Sequence, residues 1–270
     1  MLITKASGDK VKFRRKQYEE TLQRIGLNTK DAKEVGSQIY QDLRPNISSD
    51  KIYQRTQKIL KKRNKVFAAK YSLKRAIMDL GPGGYFFERY MAVVLEHYGY
   101  KTKYNQFVMG RCTEHEVDIV AERNKERFMI ECKYHMSSGQ ASDLKVALYT
   151  NARFIDLKEK QKFTKGVLMT NTRCTSEAIN YARCVGLKII AWRYPTNKDN
   201  LEHYIESKKL YPVTVLLSLN KYLNKRFREE NIVLASDLAK FEPNELSKRF
   251  RIKKPLAKNL IHEAQQLVNN

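Results

Sequence analysis

Two neighbouring runs in the middle of the chain alternate apolar and charged residues with a period of two. Over residues 127–133, Phe128, Ile130 and Cys132 fall on one face of an extended strand and Glu131 and Lys133 on the other. Over residues 115–120, Glu116 and Asp118 share a face opposite Val117 and Ile119, which Ala121 continues. Paired as adjacent strands, the two runs bring Asp118, Glu131 and Lys133 to one spot.

The rest of the pattern divides the chain around that pair. Residues 3–13 read as two short strands about the Ser7-Gly8-Asp9 turn. Helical spacing follows over 14–25 and 29–43, where Ala32, Val35, Ile39 and Leu43 recur. Pro45 stops the second helix, and Ser48 or Ser49 caps a third that carries Ile52, Thr56, Ile59 and Leu60. Residues 61–75 hold seven Lys or Arg and no acid. With Val66, Phe67, Tyr71 and Leu73 among them, they predict one basic helix to about Leu80, either a DNA-backbone contact or a solvated connector.

Gly81-Pro82-Gly83-Gly84 is a break. After it comes a helix to about Tyr98, with Phe87, Met91, Val94, Leu95 and Tyr98 on one face and Glu88 beside that stripe. A strand over 101–109 leads into the two acidic-faced strands. A helix over 141–156 follows, then short apolar strands over 166–170 and 187–192 flanking a helix over 175–185. This order predicts an α/β core, a mixed sheet flanked by helices. From residue 211 the pattern is helical, with helices over 236–246 and 257–268 around a basic turn at 248–254. The expected segments are a small, mainly helical unit over 1–62, a linker helix over 63–80, the α/β domain over 81–210 and a helical tail over 211–270.

Charge narrows the choice of partner. Lys and Arg number 52 against 29 Asp and Glu, a formal net charge of +23, which favours a polyanion bound with strong salt dependence. The basic residues are spread over every segment rather than gathered on one amphipathic helix, which argues against a membrane surface. No apolar run approaches ~18 residues and no signal peptide opens the chain, so a soluble, cytoplasmic protein is expected. The four cysteines are then reduced thiols. Cys112-x-x-His115 and Cys132-x-x-His135 mimic a zinc ligand set, but residues three apart on a strand face opposite sides, which argues against zinc.

An acid pair with a lysine suits phosphodiester hydrolysis. Two carboxylates can hold Mg²⁺ or Mn²⁺ through hard oxygen ligands, and a lysine can position water or offset developing charge. The (D/E)-x-K spacing is common here; Asp31, Asp143, Asp156 and Glu206 all begin copies of it. Only the Glu131 copy lies in an apolar strand directly after another strand bearing an acid. The competing reading of that copy is a solvated ion pair on an edge strand.

The residues Asp118…Glu131-Cys132-Lys133 resemble the signature of the PD-(D/E)xK nucleases, here without a proline before Asp118. Gly84-Tyr85-Phe86-Phe87-Glu88, Gly99-Tyr100, Val117-Asp118-Ile119 and the segment 170–178 sharpen the resemblance to Mrr-like restriction endonucleases, many of which carry glutamine at the Glu131 position. The resemblance implies a Mg²⁺- or Mn²⁺-dependent endonuclease acting on double-stranded DNA and leaving 5′-phosphate and 3′-hydroxyl ends. It makes Asp118, Glu131 and the Cys132 carbonyl metal ligands, gives Lys133 the attacking water and has Glu88 complete the site. Glu116 is an extra acidic contact or a structural residue, and His115 and His135 are polar neighbours. A double-strand cut needs two sites, so a homodimer is expected. The alternative is a nucleotide-responsive DNA-binding regulator on an idle nuclease-like scaffold; RNA cleavage is a third reading.

Ile3-x-Lys5-x-x-Gly8, Phe13, Lys16 and the three helices after them resemble the ATP-cone. That implies an ATP or dATP effector at Lys5, Gly8 and Lys16, with Arg14 or Arg15 nearby; a degenerate cone that binds DNA or dimerises is the other reading. The tail is similar to a helix-hairpin-helix, although Phe250-Arg251-Ile252 stands where the hairpin glycine is usual. It either grips DNA phosphates or packs and dimerises.

Overall fold

The computed structural model describes residues 1–5 and 7–269, and these divide into two units. One comprises residues 1–76, 137–139 and 213–270, the other residues 77–136 and 140–212. In the first, β1 (Leu2–Thr4) pairs antiparallel with β2 (Lys10–Lys12) across the expected turn. Helices α1 (Arg15–Arg24) and α2 (Thr29–Gln41) follow, then β3 (Ile47–Ser48) parallel to β1, α3 (Ser49–Arg63) and α4 (Lys65–Met78). Of the two serines, Ser48 is the cap: its side chain accepts the Lys51 N–H at 3.2 Å.

The single basic helix expected through residue 80 is interrupted. Asn64 is extended, with φ −161°, and its side chain accepts the Val66 N–H at 2.7 Å, which ends α3 and starts α4. Nor is α4 a solvated connector, because Val66, Ala68, Ala69, Leu73 and Ala76 are buried.

In the second unit, α5 (Tyr85–His97) leads into β4 (Lys101–Met109), β5 (Glu114–Arg123) and β6 (Glu126–Lys133). Then come β7 (Ala141–Ser142), α6 (Leu144–Lys158), β8 (Lys165–Thr170), β9 (Arg173–Cys174), α7 (Ser176–Val185), β10 (Lys188–Ile190) and α8 (Leu201–Ser207). The helix expected from residue 141 starts later, because Ala141–Ser142 pairs with β9 and Asp143 caps α6 on the Val146 N–H at 3.2 Å. The five-stranded sheet has the order β10-β8-β6-β5-β4. β4, β5 and β6 form an antiparallel meander, and β6, β8 and β10 run parallel. This is the mixed sheet with flanking helices of a restriction-endonuclease-like α/β fold: α5 packs on β4 and β5, and α6 on β8 and α7. After its first residue β8 is buried throughout, which explains its unbroken apolar run.

The first unit is completed by α9 (Lys221–Glu229), α10 (Ala235–Leu238), α11 (Pro243–Phe250) and α12 (Lys254–Asn269). The helix expected over 236–246 is two helices, with Pro243 in the first turn of α11. Between α11 and α12, Arg251 adopts the left-handed conformation, φ 52°, that the missing hairpin glycine would have supplied. Leu217, from the segment before α9, packs against the cluster of Leu22, Val35, Ile39 and Leu60, so the opening and the tail share one core. Glu263 of α12 is buried and accepts both the N–H (3.0 Å) and the hydroxyl (2.8 Å) of Ser218. Among the described residues no helix is long and apolar enough to cross a membrane.

Candidate active site

The sheet forks where the two acidic runs meet. β5 and β6 pair from Arg123↔Glu126 up to Ile119↔Ile130 and no further. Beyond that point β5 stays with β4, as in Val117 opposite Gln106, while β6 stays with β8, with Glu131 opposite Leu168 and Lys133 opposite Thr170. Asp118 sits in the crotch. Its Oδ2 accepts the main-chain N–H of Cys132 at 2.6 Å, satisfying a donor that the parting strands would otherwise leave bare. Ile119, Ile130 and Cys132 are buried, as the alternation predicts, and Lys133 is exposed at the open end.

β6 is the central strand of the sheet, so the solvated edge-strand reading of Glu131 does not hold. Glu131 does form an ion pair, but a partly buried one. Its Oε2 accepts from Arg153 of α6 at 2.5 Å, with the two side chains 17% and 9% exposed. Arg153 escaped the reading of the sequence, although a signal for it was there. Val146, Thr150, Arg153 and Leu157 recur at helical spacing on the inward stripe of α6, and an arginine on such a stripe needs a carboxylate.

Glu88 joins the site through the first turn of α5. The ring of Phe87 stacks on that of Tyr134, centroids 5.6 Å apart, and so ties the start of α5 to the residue after Lys133. Tyr134 in turn donates to the main-chain oxygen of Met78. Burial pushes the Glu88 carboxyl up to about 7, helped by the negative charges of Asp118, Glu116 and Glu131. Burial also raises Asp118, and burial with the Asp118 charge raises Glu131. The ammonium of Lys133 opposes both of those shifts, so it lies near both carboxylates. Glu116 is thus part of the acidic cluster through its charge.

The two histidines have structural partners. His115 Nε2 lies 2.8 Å from Asp156 Oδ2. Asp156 also accepts the N–H of Cys112 at 2.9 Å, and hydrogen bonds from the Cys112 side chain, His115 and the main chain of that turn hold its carboxyl well below the usual range. Its (D/E)-x-K match therefore serves the turn between β4 and β5. His135 Nε2 lies 3.1 Å from Ser142 Oγ, and its main chain is held from both sides by the buried Asn171 amide. Thr170, Asn171 and Thr172 are all buried, so that segment is a polar brace behind the site.

Among the described residues, no three His, Cys, Asp or Glu side chains meet closely enough to enclose a cation by themselves. The donor set nevertheless suits a hard divalent cation with part of its shell left to water. Asp118 and Glu131 each commit one oxygen to a protein donor and keep one, and Glu131, raised by burial and by the Asp118 charge, gains from a positive charge between the two. In the other unit, Lys5 and Gly8 sit at the β1–β2 turn, where the Gly8 N–H donates to the Lys5 carbonyl at 3.0 Å and Gly8 has φ +86°. Lys16 is exposed on the first turn of α1, and Arg15 is committed to Glu19 and Ser37.

Residues 82–196 match the family model described as restriction endonuclease, and residues 211–268 the model described as AF1548-like, C-terminal. An uncharacterized protein of Archaeoglobus fulgidus is 40% identical over 178 residues, 66% of this chain and 99% of that protein. The crystal structure of a protein of unknown function, AF1548, superposes with a TM-score of 0.60 at 38% identity, covering 69% of this chain and 99% of that one.

Proposed function

The chain belongs to the family of AF1548-like proteins with a restriction-endonuclease domain, and on that premise we propose that it is a metal-dependent endonuclease of double-stranded DNA. The observation that carries the reading is the fork: Asp118 and Glu131, each with one oxygen to spare, beside the exposed Lys133. Asp118 and Glu131 with the Cys132 carbonyl would hold Mg²⁺ or Mn²⁺, and Glu88 would complete the site, either through a bound water or as an added ligand. A cation held there would polarise the scissile phosphoryl group and acidify the attacking water. Lys133 orients that water and offsets the charge that builds on the phosphoryl oxygens. The net charge of +23 supports a phosphate backbone as partner.

The test is incubation of supercoiled plasmid with the purified protein in Mg²⁺ and in EDTA. Nicking or linearisation in Mg²⁺ alone is expected, and an intact plasmid under both conditions contradicts the proposal. Lys5, Gly8 and Lys16 are the proposed contacts of an ATP or dATP effector, and adding either nucleotide to the same assay tests whether it changes the rate. A homodimer, which a paired cut would need, is tested by sedimentation of the protein alone and on DNA.

One observation favours a second reading. Arg153 already neutralises Glu131, as it would in an idle scaffold of a DNA-binding regulator. Such a scaffold would bind DNA equally in Mg²⁺ and EDTA and release no product.

A further inference from the structure

Arg153 belongs to the site but to none of the sequence motifs. It stands on α6 among the buried Thr150, Asn151 and Leu157. One guanidinium nitrogen, Nη1, lies 2.5 Å from Glu131 Oε2, and the guanidinium carbon lies 5.2 Å from the centroid of the Tyr149 ring, itself 60% exposed. The Arg153 Nε is buried without a hydrogen-bond partner among the described residues. A buried charge held at such a cost is kept by one strong contact, and here that contact is the carboxylate.

We propose that Arg153 is the positioning residue of Glu131, an inference that rests on the nuclease reading above. It occupies Oε2 and thereby presents Oε1 alone to the cation, just as the Cys132 N–H occupies Asp118 Oδ2 and leaves Oδ1. The same guanidinium places a positive charge next to the metal position, so it restrains cation binding while fixing its geometry. Removing it frees both oxygens of Glu131 and deletes the repulsion. The cation then binds more tightly and in the wrong place, a combination that loss of a merely structural contact would not produce.

The experiment compares the parent with Arg153→Gln and Arg153→Lys at the same mildly alkaline pH. Mg²⁺ is titrated calorimetrically into the DNA-free protein, and plasmid cleavage is timed at saturating Mg²⁺. Arg153→Gln is expected to bind Mg²⁺ roughly tenfold more tightly and to cleave at least about tenfold more slowly. Arg153→Lys, which keeps the charge and one donor, is expected to return both quantities towards the parent. Parental affinity and rate in Arg153→Gln would overturn the proposal. So would equal loss of both quantities in the two variants together with a lowered melting temperature, since that is the signature of a packing role. A parent that neither binds Mg²⁺ nor cuts overturns the nuclease reading itself, and this inference with it.

Discussion

The Asp118 carboxylate accepts the main-chain N–H of Cys132 at 2.6 Å at the point where β5 and β6 stop pairing. One oxygen therefore holds the fork together and the other is left for the proposed chemistry. The two roles separate by substitution. Asp118→Asn keeps an acceptor for the N–H and is expected to bind DNA as the parent does while losing cleavage. Asp118→Ala also strands the donor and should lose roughly 1–3 kcal/mol of stability relative to Asp118→Asn. Urea unfolding of both variants with a plasmid assay checks this; equal stability would show that the hydrogen bond contributes little to the fork.

Glu88 supplies a pH test. Its carboxyl is raised from 4.5 to about 7, so the folded state holds a proton there that the unfolded state releases earlier. The stability this gives is present below the unfolded value, near 4.5, and is lost as pH rises through about 7. Glu88→Gln has no charge to bury. It should melt higher than the parent at about pH 8 and converge with it towards about pH 4.5, while cutting DNA more slowly. Thermal melts across that range decide it, and a parallel offset at every pH would assign the effect to packing instead.

Gly110 gives a test of the site's frame. A Cβ there would lie 2.1 Å from Asp156 Oδ2, of the carboxylate that holds Cys112 and Thr113 in the turn before β5 and His115 at its start. Gly110→Ala must push Asp156 off those donors and is expected to cost roughly 1–3 kcal/mol by chemical denaturation. A variant as stable as the parent would show that the turn does not depend on Asp156.

Much of the candidate site is legible in the sequence because a strand has only two faces. Glu131 and Lys133 on one side, and Ile130 and Cys132 on the other, follow from alternation and are where the strand places them. What alternation does not show is where pairing ends, and the fork at Asp118 depends on β6 leaving β5 to follow β8. Arg153 was hidden for a related reason, since its partner lies 22 residues away in the chain. Short-range signals also failed at Asn64 and Ala141, where one side-chain cap or one two-residue pairing overrode the helical spacing. The common core of the opening and the tail rests on Leu217, far in sequence from Leu22 and Leu60, and no local pattern reports such a contact.

The most direct measurement of the central claim is single-turnover cleavage of a DNA duplex in Mg²⁺ by the parent and by Lys133→Ala, with DNA affinity measured alongside. Lys133 is exposed at the open end of β6, so its removal should leave the fold and DNA binding intact. Comparable affinity is expected, with cleavage slowed at least about a hundredfold. Lys133→Ala cutting as fast as the parent would contradict the claim.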